Sequence, residues 1–181
     1  LSTFRIRPFE PRDAAEAPEV IRDVYDEWSF PWDPDDYHAD LYDIPGSYLA
    51  EGHWFWVAET EAGLVGTAAL VYHDLIPGTP GDLIQLNGFI RIAGTDCSLE
   101  RLYVRSSARG LGIGKSLMET TVHVARARNS AMEIWSDKRF VQAHSLYARF
   151  GASVVGERIC HDPEQSPEWG LILPLGNRIA R

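Results

Sequence analysis

Apolar and polar positions change their period several times along the chain, and each change marks an element. Over residues 4–9 apolar side chains alternate with Arg5 and Arg7, which predicts a half-buried strand. Pro18 and Glu19 then supply a helix-start signal. Val20, Ile21, Val24, Tyr25 and Trp28 recur at spacings of three and four, so a helix over about 18–28 is expected to lay one face on a sheet. Residues 30–48 lose any period. Trp32, Tyr37 and Tyr42 mix there with Asp33, Asp35, Asp36, Asp40 and Asp43 between prolines, the pattern of a short helix flanked by loops. Residues 53–59 and 64–73, rich in Trp, Phe and Val, lie either side of 60–63 and predict a hairpin. Residues 77–94 carry Gly, Pro and Asn but also Leu83, Ile84, Phe89 and Ile90, which suits an ordered excursion whose elements the pattern leaves open.

The second half reads as a strand at 97–104, a Gly-rich turn, a helix to about 128 and a strand at 131–136. That is one βαβ unit, with a right-handed crossover between parallel strands. A helix over about 140–150 should end at Gly151, a residue suited to a left-handed cap, and strands at 152–158 and 168–174 follow. The order predicts an α/β (α+β) fold: a single mixed, mostly antiparallel sheet flanked by helices. With 181 residues, no internal repeat and no break in composition, the expectation is a single domain over 1–181.

Composition changes this picture by exclusion. A formal charge of −9, with Arg scattered along the chain, repels a phosphate backbone, so nucleic acid is not an expected partner. No apolar run approaches the ~20 residues of a membrane span, and residues 1–8 lack the basic head and apolar run of a secretory signal. The numbering begins without Met, so a processed leader stays open. Cys97 and Cys160 form no metal or disulfide spacing, which points to a cytoplasmic protein that needs no metal.

The strongest chemical signal is RGLGIGKS, from Arg109 to Ser116, between a predicted strand and a predicted helix. Gly110, Gly112 and Gly114 let backbone N–H groups crowd toward an anion at a helix N-terminus. A Walker A loop fails, because counting back five from Gly114 lands on Arg109. A dinucleotide fingerprint fails too, because its third Gly would fall on Lys115 or Leu117. What remains is Arg, two residues, Gly, one residue, Gly, preceded by LERLYV and followed after the next strand by AHSLYARFGA. These motifs, over about 97–152, resemble the GNAT superfamily of acetyl-CoA-dependent N-acyltransferases, and the hairpin strand GLVGTAAL upstream agrees with it.

The resemblance implies the GNAT fold, acetyl-CoA as co-substrate and a primary amine of a small molecule or peptide as acceptor. It places the CoA pyrophosphate on Arg109, Gly110, Leu111, Gly112, Ile113, Gly114 and Lys115, and the pantetheine arm along Leu102, Tyr103 and Val104. The strand before the turn is expected to splay from 131–136. Tyr147 matches the residue that protonates the leaving thiolate; the alternative is a core aromatic at helical spacing with Ala143 and Phe150. The strand position where many relatives carry an acidic base holds Ser98, so Glu100, two residues on, is the candidate, directly or through water. Its alternative role is a strand-end partner of Arg101 or Arg105. Phe140 stands where many members carry Asn, and His144 is a candidate relay or a capping residue. Trp28, Phe30 and Trp32 with Asp33, Asp35 and Asp36 form either an acceptor pocket for a cation or a capped, solvated face. Two other readings stay open, a degenerate acyl-CoA-binding sensor or scaffold and a nucleotide-phosphate enzyme. A homodimer is compatible with the sequence, which does not fix the oligomeric state.

Overall fold

The computed structural model describes residues 3–176, so the ends of the 1–181 domain expectation lie outside the described residues. Nine strands, β1 (Arg5–Pro8), β2 (Trp54–Thr60), β3 (Gly63–Tyr72), β4 (Leu83–Leu86), β5 (Phe89–Ile92), β6 (Cys97–Val104), β7 (Ala131–Asp137), β8 (Ser153–Ile159) and β9 (Pro167–Pro174), accompany three α-helices. These are α1 (Glu16–Glu27), α2 (Ile113–Arg126) and α3 (Val141–Arg149). Seven strands hydrogen-bond in the order β1-β2-β3-β6-β7-β9-β8, and β4 and β5 pair as a separate two-stranded sheet. Among the registered pairs only β6 with β7 is parallel; β1 with β2, β2 with β3, β7 with β9 and β8 with β9 are antiparallel. The chain thus has the expected mixed sheet flanked by helices.

Two elements differ from the sequence expectation, and a third fills a stretch that the pattern left open. Helix α1 begins at Glu16 and places Pro18 in its first turn, which is possible because the first N–H groups of a helix have no intrahelical acceptor for proline to lose. Residues 30–48 hold two short turns in place of one helix, a 3-10 turn at Ala39–Tyr42 and a π turn at Pro45–Leu49. The excursion at 77–94 folds into the β4–β5 hairpin, with Asn87 at φ 51° and Gly88 at φ 86° in its two-residue turn. An Asn-Gly pair between apolar runs is the sequence signal for such a turn, since both residues enter left-handed backbone at little cost.

The chain packs as two compact units. The first holds residues up to Leu70, Arg101–Thr121 and Asp162–Glu164; the second holds Val71–Glu100, Val122–His161 and the residues from Gln165 onward. In the first unit the buried face of α1, Ala17, Val20, Ile21, Val24 and Tyr25, follows the predicted spacing. Phe55, Leu64, Leu70, Ile113, Leu117 and Met118 are also fully buried there. In the second unit the interior includes Ile92, Cys97, Met132, Ile134, Leu171 and Leu173.

A buried ion pair anchors β1. Arg7 donates to both oxygens of Asp13 at 2.6 and 2.8 Å and to Glu59 at 3.0 Å, and both Arg7 and Asp13 are buried. Burial alone would raise the Asp13 carboxyl, but hydrogen bonds from Arg7 and from the Glu10 amide carry it below the usual carboxylate range. Asp13→Ala should cost about 3 kcal/mol at neutral pH, the lower end for a broken buried pair because Glu59 still accepts from Arg7. A depressed folded pKa confers stability that is full above the unfolded value of about 3.9 and is lost as pH falls through the folded value. Denaturant titrations should therefore show the gap between wild type and variant narrowing below about pH 4. An equal gap at pH 7 and pH 3 would remove the ionised pair as its cause.

Candidate functional site

The turn after β6 is an open backbone cradle in the first unit. Val104 is followed by a 3-10 turn, Ser106–Ala108, and then by Gly110 at φ 78° and Gly112 at φ 84°, conformations that L side chains rarely adopt. A Cβ built on either glycine meets no atom within 4 Å, so space stands open beside both. The first bond that closes α2 runs from Ser116 N to Gly112 O at 3.0 Å. The N–H groups of Ile113, Gly114 and Lys115 therefore leave the helix end without an acceptor inside the helix, at the positive pole of its dipole. Donors and open space in one place are what a diphosphate requires.

The side chains of the turn divide into buried, paired and solvated. Ile113 is 1% exposed and anchors the helix start in the core, whereas Leu111 is 47% exposed. Arg109 donates to both oxygens of Glu27 at 2.7 and 2.6 Å and, through Nε, to Val104 O at 3.1 Å. Its guanidinium thus ties the turn to the end of α1 and has its charge matched by Glu27. Exposed Lys115 pairs with Glu119 at 3.3 Å, one helical turn away. Both cationic side chains of the turn thus have carboxylate partners.

Strand β6 changes character in its middle. Its registered pairing with β7 covers Cys97↔Met132, Ser98↔Glu133 and Leu99↔Ile134. Arg101 then takes φ 52°, and its carbonyl accepts Thr67 Oγ1 at 2.7 Å. A bulky side chain in left-handed backbone costs about 1–2 kcal/mol and persists only where its surroundings hold it. Here the guanidinium is held: Nε donates to Asp40 Oδ2 at 3.0 Å, Nη2 to Asp40 Oδ1 at 2.6 Å, and Nη2 to Tyr37 O at 3.0 Å. Beyond this bulge Leu102, Tyr103 and Val104, the candidate pantetheine positions, are half-buried, and Arg105 N bonds Val65 O at 2.9 Å.

The aromatic and acidic segment after α1 packs on itself. Tyr25 meets Phe30, Trp32 and His38 edge-on, and Trp32 stacks on His38 at 3.9 Å between ring centroids. His38 is fully buried, and burial lowers its pKa to about 4. Its Nδ1 accepts the Asp33 amide, which leaves the proton of the neutral ring on Nε2. Asp33 Oδ1 accepts the amides of Asp35 and Asp36, and Asp43 Oδ1 that of Gly46, so these carboxylates serve turns. Of the acidic run weighed at 33–36, Asp33 has its Oδ1 engaged in closing a turn.

The second unit carries the remaining candidates. Tyr147 lies on α3 with 4% exposure, and its backbone oxygen accepts the amides of Phe150 and Ala152 at 3.0 and 3.1 Å, closing the helix before left-handed Gly151. Glu100 is exposed at the end of this unit's share of β6. His144 Nε2 lies 3.1 Å from Ser136 Oγ, and burial lowers its pKa. Phe140 is the residue that caps the start of α3.

Sequence reasoning passed over one buried polar cluster here. Glu133 is 2% exposed in the apolar first half of β7, Ala131–Trp135. It accepts Arg91 Nε at 2.6 Å, the Ile92 amide at 3.1 Å, Ser98 Oγ at 3.1 Å and Trp135 Nε1 at 3.3 Å. Burial would raise its pKa, but the Arg91 bond and charge hold it below the usual range. A carboxylate between apolar neighbours in a strand was its signal, and its bonds pin Arg91 and Ile92 of the β4–β5 hairpin to Ser98. The other residue missed is Arg101, a charge in mid-strand.

Comparison with known proteins agrees with this architecture. Residues 17–152 match the acetyltransferase (GNAT) family. N-acetyltransferase 8 of Rattus norvegicus is 37% identical over 122 residues, which cover 66% of this chain and 49% of that protein. The chain spans about half the length of the curated relatives it matches. Among solved structures, a GNAT-family acetyltransferase from Staphylococcus aureus Mu50 superposes with a TM-score of 0.71 at 20% identity, covering 96% of this chain and 100% of that one. A Salmonella typhimurium protein, assigned as an acetyltransferase and solved with its cofactor acetyl-CoA, gives 0.69 at 17%, covering 98% and 96%. Among the described residues no helix is long and apolar enough to cross a membrane.

Proposed function

Because the chain belongs to the GNAT family of acetyltransferases, we propose that it moves an acetyl group from acetyl-CoA to a primary amine of a small molecule or peptide. The observation that carries this reading is the cradle at 109–115: two left-handed glycines with open space beside them and a helix N-terminus whose first N–H groups have no acceptor inside the helix. In this reading the amides of Gly110, Leu111, Gly112, Ile113, Gly114 and Lys115 hold the pyrophosphate, and Arg109 positions the turn through Glu27. Backbone groups of Leu102, Tyr103 and Val104 hold the pantetheine arm, although Val104 O is already engaged by Arg109. Acetyl-CoA supplies an activated thioester, so no covalent enzyme intermediate and no metal are required.

A protonated amine, with a reference pKa of about 10.4 for Lys, has no lone pair until it loses a proton. Exposed Glu100 is our candidate to accept it, directly or through water. Tyr147 is our candidate to give a proton to the departing thiolate. A single domain in a reducing, cytoplasmic setting completes the reading, supported by two buried cysteines in the thiol form, Cys97 and Cys160. The test is calorimetry with acetyl-CoA and ATP, followed by thiol release across a panel of amines. Acetyl-CoA binding with release on at least one amine is expected. Binding without release on any amine would move the assignment to an acyl-CoA sensor, a reading the departures at Ser98 and Phe140 favour; ATP binding alone would move it to a nucleotide enzyme.

A further inference from the structure

Residues 37–48 bury His38, Leu41, Ile44 and Tyr48 but have little regular backbone structure. Their backbone bonds close only short turns, from Ala39 N to Asp36 O, Leu41 N to His38 O, Asp43 N to Asp40 O and Ser47 N to Asp43 O. What ties this segment to β6 is a set of side-chain bonds on Asp40. Its carboxylate takes both arms of Arg101 in a fork and also accepts the Tyr48 hydroxyl. The same guanidinium bonds Tyr37 O and lies 5.3 Å from the centre of the Tyr37 ring. Arg101 is only 12% exposed along its side chain, and its backbone is the left-handed point of β6. The bulge and the segment are therefore one mechanical object, because a return of Arg101 to extended backbone would carry its side chain away from Asp40.

The bulge stands at a functional boundary. Leu102, Tyr103 and Val104, on its far side, are the stretch assigned to the pantetheine arm, so the thioester end of that arm falls toward Arg101. We propose that Arg101 is a positioning residue: through Asp40 it clamps residues 37–48 to the bulge of β6 and thereby sets the wall against which the acceptor amine is placed. The clamp acts on acceptor recognition and leaves the anion cradle at 109–115 untouched. This rests on the acetyl-transfer reading above for its functional half and on geometry alone for its mechanical half.

The test uses the full chain. Arg101→Gly keeps left-handed backbone available while removing the fork, Asp40→Asn keeps the shape while removing the charge, and Arg101→Lys keeps the charge while removing the fork. Loss of a charge-assisted pair should speed hydrogen exchange at the amides of Ala39, Leu41, Asp43 and Ser47 by about 10–100-fold while exchange at 113–121 stays within about two-fold. With an amine that the wild type acetylates, the acceptor KM should rise about tenfold or more in Arg101→Gly, with kcat within about threefold and acetyl-CoA Kd within about twofold. Arg101→Lys should fall between wild type and Arg101→Gly. Unchanged exchange in residues 37–48 overturns the clamp, and an unchanged acceptor KM, or KM, kcat and Kd all deteriorating together, overturns its role in acceptor placement. Should Arg101→Gly not fold, Asp40→Asn decides both halves by the same readings. If no amine is turned over by the wild type, the acetyl-transfer reading fails while exchange still decides the clamp.

Discussion

Replacing Tyr147 by Phe is expected to lower turnover by about 10²–10⁴-fold while acetyl-CoA affinity stays within about twofold. The ring remains, so the buried position keeps its packing, and the two amides that bond the Tyr147 carbonyl keep their acceptor. Only the hydroxyl is lost. If that hydroxyl delivers the proton that lets sulfur depart, the loss falls on kcat and kcat/KM alike, since the interaction is made only as the thiolate forms. If Tyr147 is a packing residue, as its spacing with Ala143 and Phe150 also allows, turnover is unchanged and the residue leaves the mechanism. Steady-state kinetics with calorimetric Kd values separates the two, and thermal melts of both proteins check that the fold is equal.

The second large effect is expected at the cradle. In Gly110→Val with Gly112→Val, each new Cβ meets no atom within 4 Å, so the change is not blocked at the first side-chain atom. The cost is conformational: φ values of 78° and 84° are strained for a β-branched residue by about 1–3 kcal/mol each. The turn will relax to negative φ and swing its amides away from their common focus. If the strains add, the binding-competent turn becomes a minor state and acetyl-CoA Kd rises by about 10²–10⁴-fold. Thermal stability should fall by less than the summed strain, because relaxation of the exposed turn to negative φ relieves most of it. Asn at the same two positions tolerates left-handed backbone and should lose far less. Calorimetry giving equal Kd values for the Val and wild-type proteins would show that the amides do not carry the cofactor.

The legibility of this chain followed the length scale of each signal. Periodic elements were readable: β6 lies at the expected 97–104, and four of the five residues predicted for the buried face of α1, Val20, Ile21, Val24 and Tyr25, are buried, because a repeating apolar pattern fixes which side faces the core, whereas Trp28 at the helix end is exposed. The cradle was readable because positive φ demands Gly and leaves a spaced motif. The β4–β5 hairpin was present as Asn87-Gly88 and went unassigned, since four-residue strands give too few alternations to outweigh the surrounding Gly and Pro. The Arg101 and Asp40 pair could not be read. Its partners stand 61 residues apart, Asp40 sits in no motif, and the Arg of LERLYV has the same composition signal whether it reaches solvent or a half-buried carboxylate. The acidic run was ambiguous for a related reason: whether Asp33 and Asp43 bind a cation or cap a turn depends on which amides approach them, a tertiary fact.

The two cysteines also bear on how turnover can be followed. Cys97 is fully sequestered, with burial first and the nearby Asp96 and Glu133 charges after it pushing its sulfhydryl toward the neutral, unreactive form, and Cys160 is nearly as well covered. A disulfide-exchange dye added to native protein should then register only coenzyme released by reaction, with no background from the polypeptide. In denaturant the same dye should titrate two equivalents per chain, so one reagent reads catalysis in buffer and unfolding in urea.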